Sequence, residues 1–199
     1  MYISDGWNTV QYLSNSNVDI INMSWGIDDW ENPDSANEIG VTNLSWVISQ
    51  YQIDPTILLT KAVSNAETPV SWDCTDLSSC GAHEMAMLRT IPDQTILVGA
   101  INADRELTSQ KAGLMKDHYI VADGTGVFGT YGTSFAAPKV AGAAAILMHK
   151  FPSLQRNPKN TKEVLLKTAD DLGAPGVDDI YGHGELNLKS ALSPIGTLR

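Results

Sequence analysis

The sequence predicts an α/β fold in which helices cover both faces of a mostly parallel sheet. Four short apolar runs, rich in β-branched residues, have the composition of strands that are buried on both sides. The stretches between them carry apolar residues at helical spacing, and this alternation of strand and helix is typical of parallel sheets. The predicted strands are residues 18–24, 56–63, 95–101 and 119–122.

The helices are predicted from apolar residues three or four positions apart. Two of them flank the first strand and are marked by Trp7, Val10 and Leu13, and by Val41, Leu44, Ile48 and Tyr51. Pro55 breaks the second of these. Residues 134–150 form the strongest helix, and its many alanines let it approach its neighbours closely, so we expect it at the centre of the fold. Pro138 lies near its start, where a missing N–H removes little. A last helix is predicted to start at Asn160, which has capping-box spacing with Glu163.

Composition and charge limit the class of protein. The chain has 199 residues, of which 43% are hydrophobic and 18% charged, enough for one compact domain with its own core. The net charge of -10 disfavours nucleic acid as a partner, because an acidic surface repels phosphate. No apolar run approaches the ~20 residues that span a bilayer, and the first residues show no basic and apolar leader. The stretch 64–94 has no clear periodicity, and long irregular loops tend to be functional.

The segment GTSFAAP brings the hydroxyl of Ser134 to the start of the alanine-rich helix. At a helix N-terminus, unpaired N–H groups and the positive end of the helix dipole can stabilise the negative oxygen that forms when a carbonyl is attacked. Ser134 is therefore a candidate nucleophile. The spacing alone leaves a second interpretation open, because serine is also a common N-cap residue.

The segment GTSFAAPKVAG resembles the active-serine signature of the subtilisin-like serine proteases, the subtilases. Eight of its eleven positions match that signature: Gly132, Thr133, Ser134, Ala136, Pro138, Val140, Ala141 and Gly142. Lys139 stands where the family frequently has His, a residue that is not one of its catalytic groups. The resemblance implies a serine endopeptidase with a three-layer, subtilisin-like α/β fold and a peptide or protein substrate. The sequence assigns no cofactor and no metal-binding residue, although the acidic run Asp28, Asp29 and Glu31 leaves a calcium site open beside the interpretation as a solvated loop.

Two further segments follow in the family's order. VDIINMSWG resembles the strand that lines the substrate cleft, which implies that three residues contact the substrate: Ser24, Trp25 and Gly26. LLTKAVSNAE resembles the strand that ends in the oxyanion Asn, which implies that the carboxamide of Asn65 stabilises the oxyanion together with the backbone N–H of Ser134. Ser64 departs from the pattern, since the family usually has a conformationally permissive Gly there.

Two segments in the second half of the chain resemble one subgroup of the family. SQKAGLMKDHYIVADG and DLGAPGVDDIYGHGELNL resemble the end of the protease domain in autotransporter subtilases of Gram-negative bacteria. This implies a parent protein that is secreted or carried on the cell surface, with a C-terminal translocator barrel as a partner. In such a compartment Cys74 and Cys80 would form a disulfide, whereas in a reducing one they would stay free thiols in a loop.

Two catalytic groups of the family have no counterpart in this sequence. A serine hydroxyl needs a base and the base needs an orienting acid, and in subtilases the order is Asp, His, Ser. Both partners precede the strand that matches VDIINMSWG, but only seventeen residues precede Val18 here and none is His. We therefore expect residues 1–199 to form a single partial domain, truncated at its N-terminal side, that is inactive alone. The missing N-terminal part is then an expected partner.

The four histidines of the chain are poor substitutes for the base. His149 lies fifteen residues along the same helix as Ser134, which is about 22 Å. We expect His83 to lie on the long loop, His118 to pack against its neighbours, and His183 to stand where relatives have an aromatic residue.

Two other functions remain open at this point. The chain can be a non-catalytic module that uses the remaining cleft to bind peptides or a partner. An unrelated nucleotide-binding α/β domain is disfavoured, because no G-x-G-x-x-G or P-loop follows a strand.

Overall fold

Four parallel strands form the centre of the protein. The computed structural model describes residues 3–25, 38–65, 73–77 and 79–193. Within these residues the strands lie side by side in the order β1-β2-β3-β4, and every neighbouring pair is parallel. Their bounds are Ile20–Met23 for β1, Leu58–Ala62 for β2, Thr95–Ile101 for β3 and Tyr119–Asp123 for β4. Strand β3 has its predicted bounds, β1 and β2 are shorter than predicted at both ends, and β4 is one residue longer.

Helices cover both faces of this sheet, so the predicted α/β fold class is confirmed. Their bounds are Ile3–Ser14 for α1, Glu38–Gln50 for α2, Ala82–Thr90 for α3, Thr133–Lys150 for α4, Pro158–Lys167 for α5 and Leu188–Ala191 for α6. Helices α4, α5 and α6 share a core with one face of the sheet, and α1, α2 and α3 share a core with the other. Because strand residues alternate between faces, Leu58 enters the first core and Leu59 the second.

Helix α4 crosses all four strands. Most of its buried side chains are small, which lets the helix lie close to the sheet, as predicted. Its buried residues are Thr133, Ala136, Ala137, Val140, Ala143, Ala144, Leu147 and Met148. The loop that leads into α4 therefore starts the helix at the carboxyl edge of the sheet.

The sequence predicted an irregular loop over residues 64–94, but helix α3 lies within this stretch. The inner face of α3 includes the polar residues His83 and Glu84, which are buried with partners of their own. Polar residues on a buried face interrupt the apolar periodicity, and that is why the pattern did not indicate a helix.

The predicted start of a helix at Asn160 was also wrong. Helix α5 begins at Pro158, and its N-cap is Asn157, whose side chain accepts a hydrogen bond from the backbone N–H of Asn160. Proline is favoured at the first helical position, where its missing N–H removes no helical bond. The signal for this start was present in the sequence as Asn-Pro.

Candidate active site

Four of the predicted site residues, Ser24, Trp25, Asn65 and Ser134, meet at the carboxyl edge of the sheet. Since all four strands are parallel, their carboxyl ends share one edge, which is where ligands bind in open α/β sheets. Strand β1 runs into Ser24 and Trp25, and β2 runs towards Asn65. Strand β4 continues through residues 124–132 into α4, which carries Ser134 in its first turn.

Ser134 and Ser24 are joined by a reciprocal pair of hydrogen bonds. The Ser134 hydroxyl donates to the backbone carbonyl of Ser24 at 3.3 Å, and the Ser24 hydroxyl donates to the carbonyl of Ser134 at 3.1 Å. Ser134 is exposed and is the second residue of α4. The N-cap is Gly132, and no side chain caps the helix, so the interpretation of Ser134 as an N-cap is wrong.

Pro138 explains why the carbonyl of Ser134 can accept a bond from outside the helix. In an α-helix the N–H of residue 138 would donate to the carbonyl of residue 134, but proline has no N–H. Pro138 is the sixth residue of α4, beyond the unpaired first turn, so the expectation that it removes little was wrong. It removes one helical bond, and Ser24 donates to the carbonyl that is left.

Asn65 lies against the same helix N-terminus. Its Oδ1 accepts a hydrogen bond from the backbone N–H of Thr133 at 2.8 Å. The buried Thr133 hydroxyl donates to the carbonyl of Val63 at 2.7 Å and lies 3.2 Å from Asn65 Oδ1. A Cβ at Gly132 would approach Asn65 Oδ1 to 3.1 Å, so the absence of a side chain there permits the contact. The geometry therefore holds the Asn65 carboxamide beside the residue that precedes Ser134.

A short antiparallel bridge fixes the backbone of Asn65. Asn65 pairs with Ser109, and the N–H of Gln110 donates to the carbonyl of Ser64 at 2.9 Å. The buried Tyr119 hydroxyl holds this second segment by donating to the carbonyl of Gln110 at 2.6 Å. Burial raises the pKa of Tyr119, so its hydroxyl stays protonated as a donor. Ser64 is not among the residues with positive φ, so this position does not need a glycine.

The loop before Ser134 is tied to α4 by Lys139. Its ammonium donates to the Asp123 carboxylate at 2.7 Å and to the carbonyl of Thr125 at 3.0 Å. The hydrogen bond from Lys139, together with those from Thr125, lowers the pKa of Asp123 to about 2. Lys139 is therefore a clamp on the entry to the helix, a role that the sequence did not indicate.

Trp25, which is predicted to line the substrate cleft, follows Ser24 and packs on a buried histidine. Its ring meets that of His83 edge to face, with centroids 5.7 Å apart. The expectation that His83 lies on a loop was wrong, since it sits on α3 and is 5% exposed. Burial lowers its pKa to about 4. The third predicted wall residue, Gly26, lies outside the described residues.

A disulfide joins Cys74 and Cys80, with the sulfurs 2.05 Å apart. Both cysteines are fully buried in a core that also contains Val63 and Tyr119. The carbonyl of Cys74 accepts a hydrogen bond from the N–H of Leu114 at 2.9 Å. The disulfide loop thus packs beneath the segment that leads to Asn65.

None of the four histidines lies where it could serve Ser134. His118 and His183 contact the amino end of β4, the opposite edge of the sheet from the serine. His149 is at the far end of α4, and His83 is enclosed by Trp7 and Trp25. Among the described residues no group of His, Cys, Asp and Glu could hold a metal ion. In the same residues no helix has the length and apolar character of a membrane span.

Besides that of Lys139, sequence reasoning missed the roles of two further residues of this site. Thr133 was only a match to the signature, but its hydroxyl and N–H connect α4 to β2. Asn22 donates from its side chain to the Ser24 hydroxyl at 2.8 Å. Its signal was available, as a polar residue within an otherwise apolar strand run.

Among protein-family models, that of the subtilase family matches residues 1–184. Among curated proteins, the chain is 29% identical over 205 residues to serotype-specific antigen 1 of Mannheimia haemolytica, covering 91% of this chain and 21% of that protein. It is 45% identical over 62 residues to the autotransporter lipoprotein NalP of Neisseria meningitidis, covering 31% and 6%. Subtilisin DY of Bacillus licheniformis is 25% identical over 191 residues, covering 92% and 60%.

Solved structures show the same fold. A lanthipeptide protease superposes with a TM-score of 0.63 at 21% identity, covering 94% of this chain and 64% of that one. MycP1 without its propeptide gives a TM-score of 0.66 at 21% identity, covering 96% and 66%. The chain thus spans less than two thirds of the length of each of these relatives. With the family model matched over most of its length, the chain belongs to the subtilase family of serine peptidases.

Proposed function

We propose that this chain is the serine-bearing part of an extracellular endopeptidase, in which Ser134 attacks the peptide bond and Asn65 stabilises the oxyanion. One observation carries the proposal. Thr133 ties the Asn65 carboxamide to the helix N-terminus that presents the exposed Ser134 hydroxyl. The nucleophile and the oxyanion donor are thereby held close together, because Asn65 bonds to the residue that precedes Ser134.

The proposed chemistry uses the atoms as they lie. Ser134 Oγ would attack the substrate carbonyl, and the negative oxygen would accept from the Ser134 backbone N–H, one of the first-turn N–H groups that a helix cannot satisfy itself. The second donor would be Asn65 Nδ2, which is at the opposite corner of the carboxamide from the Oδ1 that Thr133 engages. The substrate would lie extended beside Ser24 and Trp25 as an added strand, with Gly26 completing the wall.

Such an enzyme also needs a base and an orienting acid, and these must come from a further polypeptide segment. In the described residues, the Ser134 hydroxyl donates to a carbonyl and no histidine reaches it. We propose that the segment supplying them, the missing N-terminal part of the domain, docks on the open side of the sheet. We define this open side as the outer edge of β1 and the exposed stripe of α4.

The open side has the features of an unfinished core. Strand β1 ends the sheet, and no strand or bridge of the described residues pairs with its outer edge. The exposed stripe of α4 recurs at helical spacing and contains Gly142, Ala145, Ile146 and His149. Ile146 is 48% exposed, and a Cβ on Gly142 would meet nothing within 4 Å. A strand beside β1 and a helix on this stripe would continue both layers.

Complementation tests the function. We would mix the purified chain with the segment of serotype-specific antigen 1 that precedes its aligned part, and measure hydrolysis of a fluorogenic peptide. The chain alone should show no serine-dependent hydrolysis, and the mixture should. Ser134→Ala should abolish the activity, and Asn65→Ala should lower turnover by about 10²–10³.

The matched control is Asn43→Ala, an exposed residue on α2, which should leave the rate unchanged. A mixture without hydrolysis that depends on Ser134 would contradict the proposed function. Brisk hydrolysis by the 199-residue chain alone, lost in Ser134→Ala, would contradict the need for a second segment.

A second candidate function is a non-catalytic peptide-binding module. The observation that favours it is the Ser134 hydroxyl, which is engaged with the carbonyl of Ser24 rather than with a base. An intact peptide that co-purifies with the chain, and is lost when Trp25 is changed to Ala, would support binding without cleavage.

The autotransporter relatives also bear on location. NalP is named an autotransporter lipoprotein, and the chain matches a stretch of 62 of its residues. We propose that the parent of this chain is secreted or displayed on the cell surface, with a translocator domain as its partner. Protease accessibility of the parent on intact cells would test this.

A further inference from the structure

A cluster of aromatic side chains lies directly behind the Ser24 wall of the site. Trp25 packs edge to face on His83 and on Trp7, with ring centroids 5.7 Å and 6.2 Å apart. Trp7 is fully buried, and its ring plane lies within 10° of that of His83. The cluster therefore joins α1, the end of β1 and α3 beneath one side of the site.

His83 acts in this cluster as a hydrogen-bond acceptor. Trp7 Nε1 donates to His83 Nε2 at 3.3 Å, and an indole nitrogen can only donate. His83 Nε2 must then carry no proton, so the imidazole is neutral with its proton on Nδ1. A proton on Nε2 would break this bond and leave a cation in a position that is 5% exposed.

Two charged side chains of the described residues face His83. Glu84 follows it on α3, and Lys61 approaches from β2, and the two form a buried ion pair at 2.8 Å. Glu84 raises the pKa of His83 and Lys61 lowers it, but burial has the largest effect and brings the pKa to about 4. The phenol of Tyr51 lies beyond Trp7, with ring centroids 6.1 Å apart.

We infer that His83 is a positioning residue for the peptide cleft: as a neutral acceptor it fixes Trp7, and the two rings seat Trp25 so that Ser24 stays against Ser134. Trp25 and Ser24 are consecutive, so a shift of the indole moves the carbonyl and hydroxyl that bind Ser134. That a peptide binds beside Ser24 rests on the proposed function. The structural link from His83 to Ser134 rests only on contacts within this chain.

Two variants at position 83 separate the acceptor from the ring. His83→Gln keeps an acceptor that does not titrate, and His83→Phe keeps a ring without an acceptor. We expect amide hydrogen exchange at Ser24 and Trp25 to be about tenfold faster in His83→Phe than in the unmodified chain, and unchanged in His83→Gln. His149→Phe, at the exposed end of α4, is the matched control. Equal exchange in the Gln and Phe variants would overturn the inference.

Acid titration supplies a readout that needs no variant to fold. With 5-fluorotryptophan incorporated, the Trp25 resonance and the Ser134 amide signal should both shift as His83 takes up its proton near pH 4. A His83 that titrates while the Trp25 and Ser134 signals stay unchanged would refute the link. Both experiments use the 199-residue chain without substrate, so a failure of the proposed peptidase activity would leave their outcome intact.

Discussion

The two edges of the sheet differ in how they end. The outer edge of β4 is covered by the chain itself, since Val121 donates to the carbonyl of Gly184 at 2.9 Å and accepts from the N–H of Leu186 at 2.8 Å. No described residue pairs with the outer edge of β1. The covered edge is completed by residues 184–186 of this chain, whereas within the described part of the chain nothing pairs with the backbone groups of the β1 edge, close to Ser134. This difference supports the proposal that the segment supplying the base and the acid docks at β1.

Substitutions at the covered edge should cost more stability than substitutions at the β1 edge. Gly184→Ala tests this, and of the variants proposed we expect it to have the largest effect. Gly184 has a φ of +98°, and a Cβ there would lie 2.1 Å from the carbonyl oxygen of Asp170. The backbone of the segment would have to move off β4, so we expect a loss of about 3–5 kcal/mol in the free energy of unfolding. Urea denaturation measures it. An unchanged midpoint would show that the segment contributes little to the edge.

Acid should weaken the β1 side of the molecule more than the β4 side. The pKa of His83 is about 4 in the folded chain and has its ordinary value of 6.5 in the unfolded chain. Between these values the unfolded state binds more protons, so stability falls as pH falls from 6.5 to 4, by on the order of 3 kcal/mol in all. At higher pH both states are neutral and nothing is lost. Urea titrations between pH 7 and pH 5 avoid the separate loss from Glu84, whose pKa is also lowered.

The acid sensitivity of the two sides can be compared through one histidine on each, His83 on the β1 side and His118 on the β4 side. His118 packs at the amino end of β4, where its Nδ1 lies 3.1 Å from Lys162 Nζ, and burial also lowers its pKa. It is only half-buried, so its contribution should be smaller. We expect His83→Gln to flatten the pH dependence more than His118→Gln does. The reverse order would mean that the β4 side is the acid-sensitive one.

Arg156 anchors the β1 side at its amino end in place of a covering segment. Its guanidinium pairs with Asp54 at 2.8 Å and Asp19 at 3.3 Å, and donates to Asn17 Oδ1. The loops before β1 and β2 are thereby held together. Because these groups are partly exposed, we expect Arg156→Met to cost only about 1–2 kcal/mol.

Thermal melts of Arg156→Met and Lys159→Met provide the measurement and its control. Lys159 makes a single exposed pair with Asp93 at 3.5 Å and should be neutral on removal. If both variants melt at the same temperature, the Arg156 network does not hold this edge.

The same contrast explains what could be predicted from the sequence. Strands β2 and β3 were located because they are buried on both faces and therefore form continuous apolar runs. The meeting of Asn65 with the helix of Ser134 was expected from the resemblance to the subtilases, and the parallel strands, whose carboxyl ends share an edge, make it possible. The disulfide between Cys74 and Cys80 was expected only from the resemblance to secreted subtilases, because two cysteines in a loop can equally remain free thiols.

The sequence could not indicate contacts in which polar groups are buried by distant partners. Helix α3 was missed because its polar residues His83 and Glu84 are buried. Their partners, Trp7 for His83 and Lys61 for Glu84, lie elsewhere in the chain. The effect of Pro138 was misjudged for a similar reason. Its consequence depends on Ser24, which is 110 residues from Ser134 and supplies the bond that the helix lacks.

Gly142→Ala has the smallest expected effect, and of opposite sign to the same change at Gly184. Gly142 lies in the interior of α4 with open space where its Cβ would be. Alanine there reduces the entropy of the unfolded chain without a clash, so we expect a gain of about 0.5–1 kcal/mol in the free energy of unfolding of the chain alone. Gly142→Trp should be tolerated by the isolated chain, yet should block hydrolysis in the complementation mixture, because the indole would occupy the stripe on which a helix is proposed to dock. A Trp variant that is complemented as well as the unmodified chain would place the docking segment elsewhere than on α4.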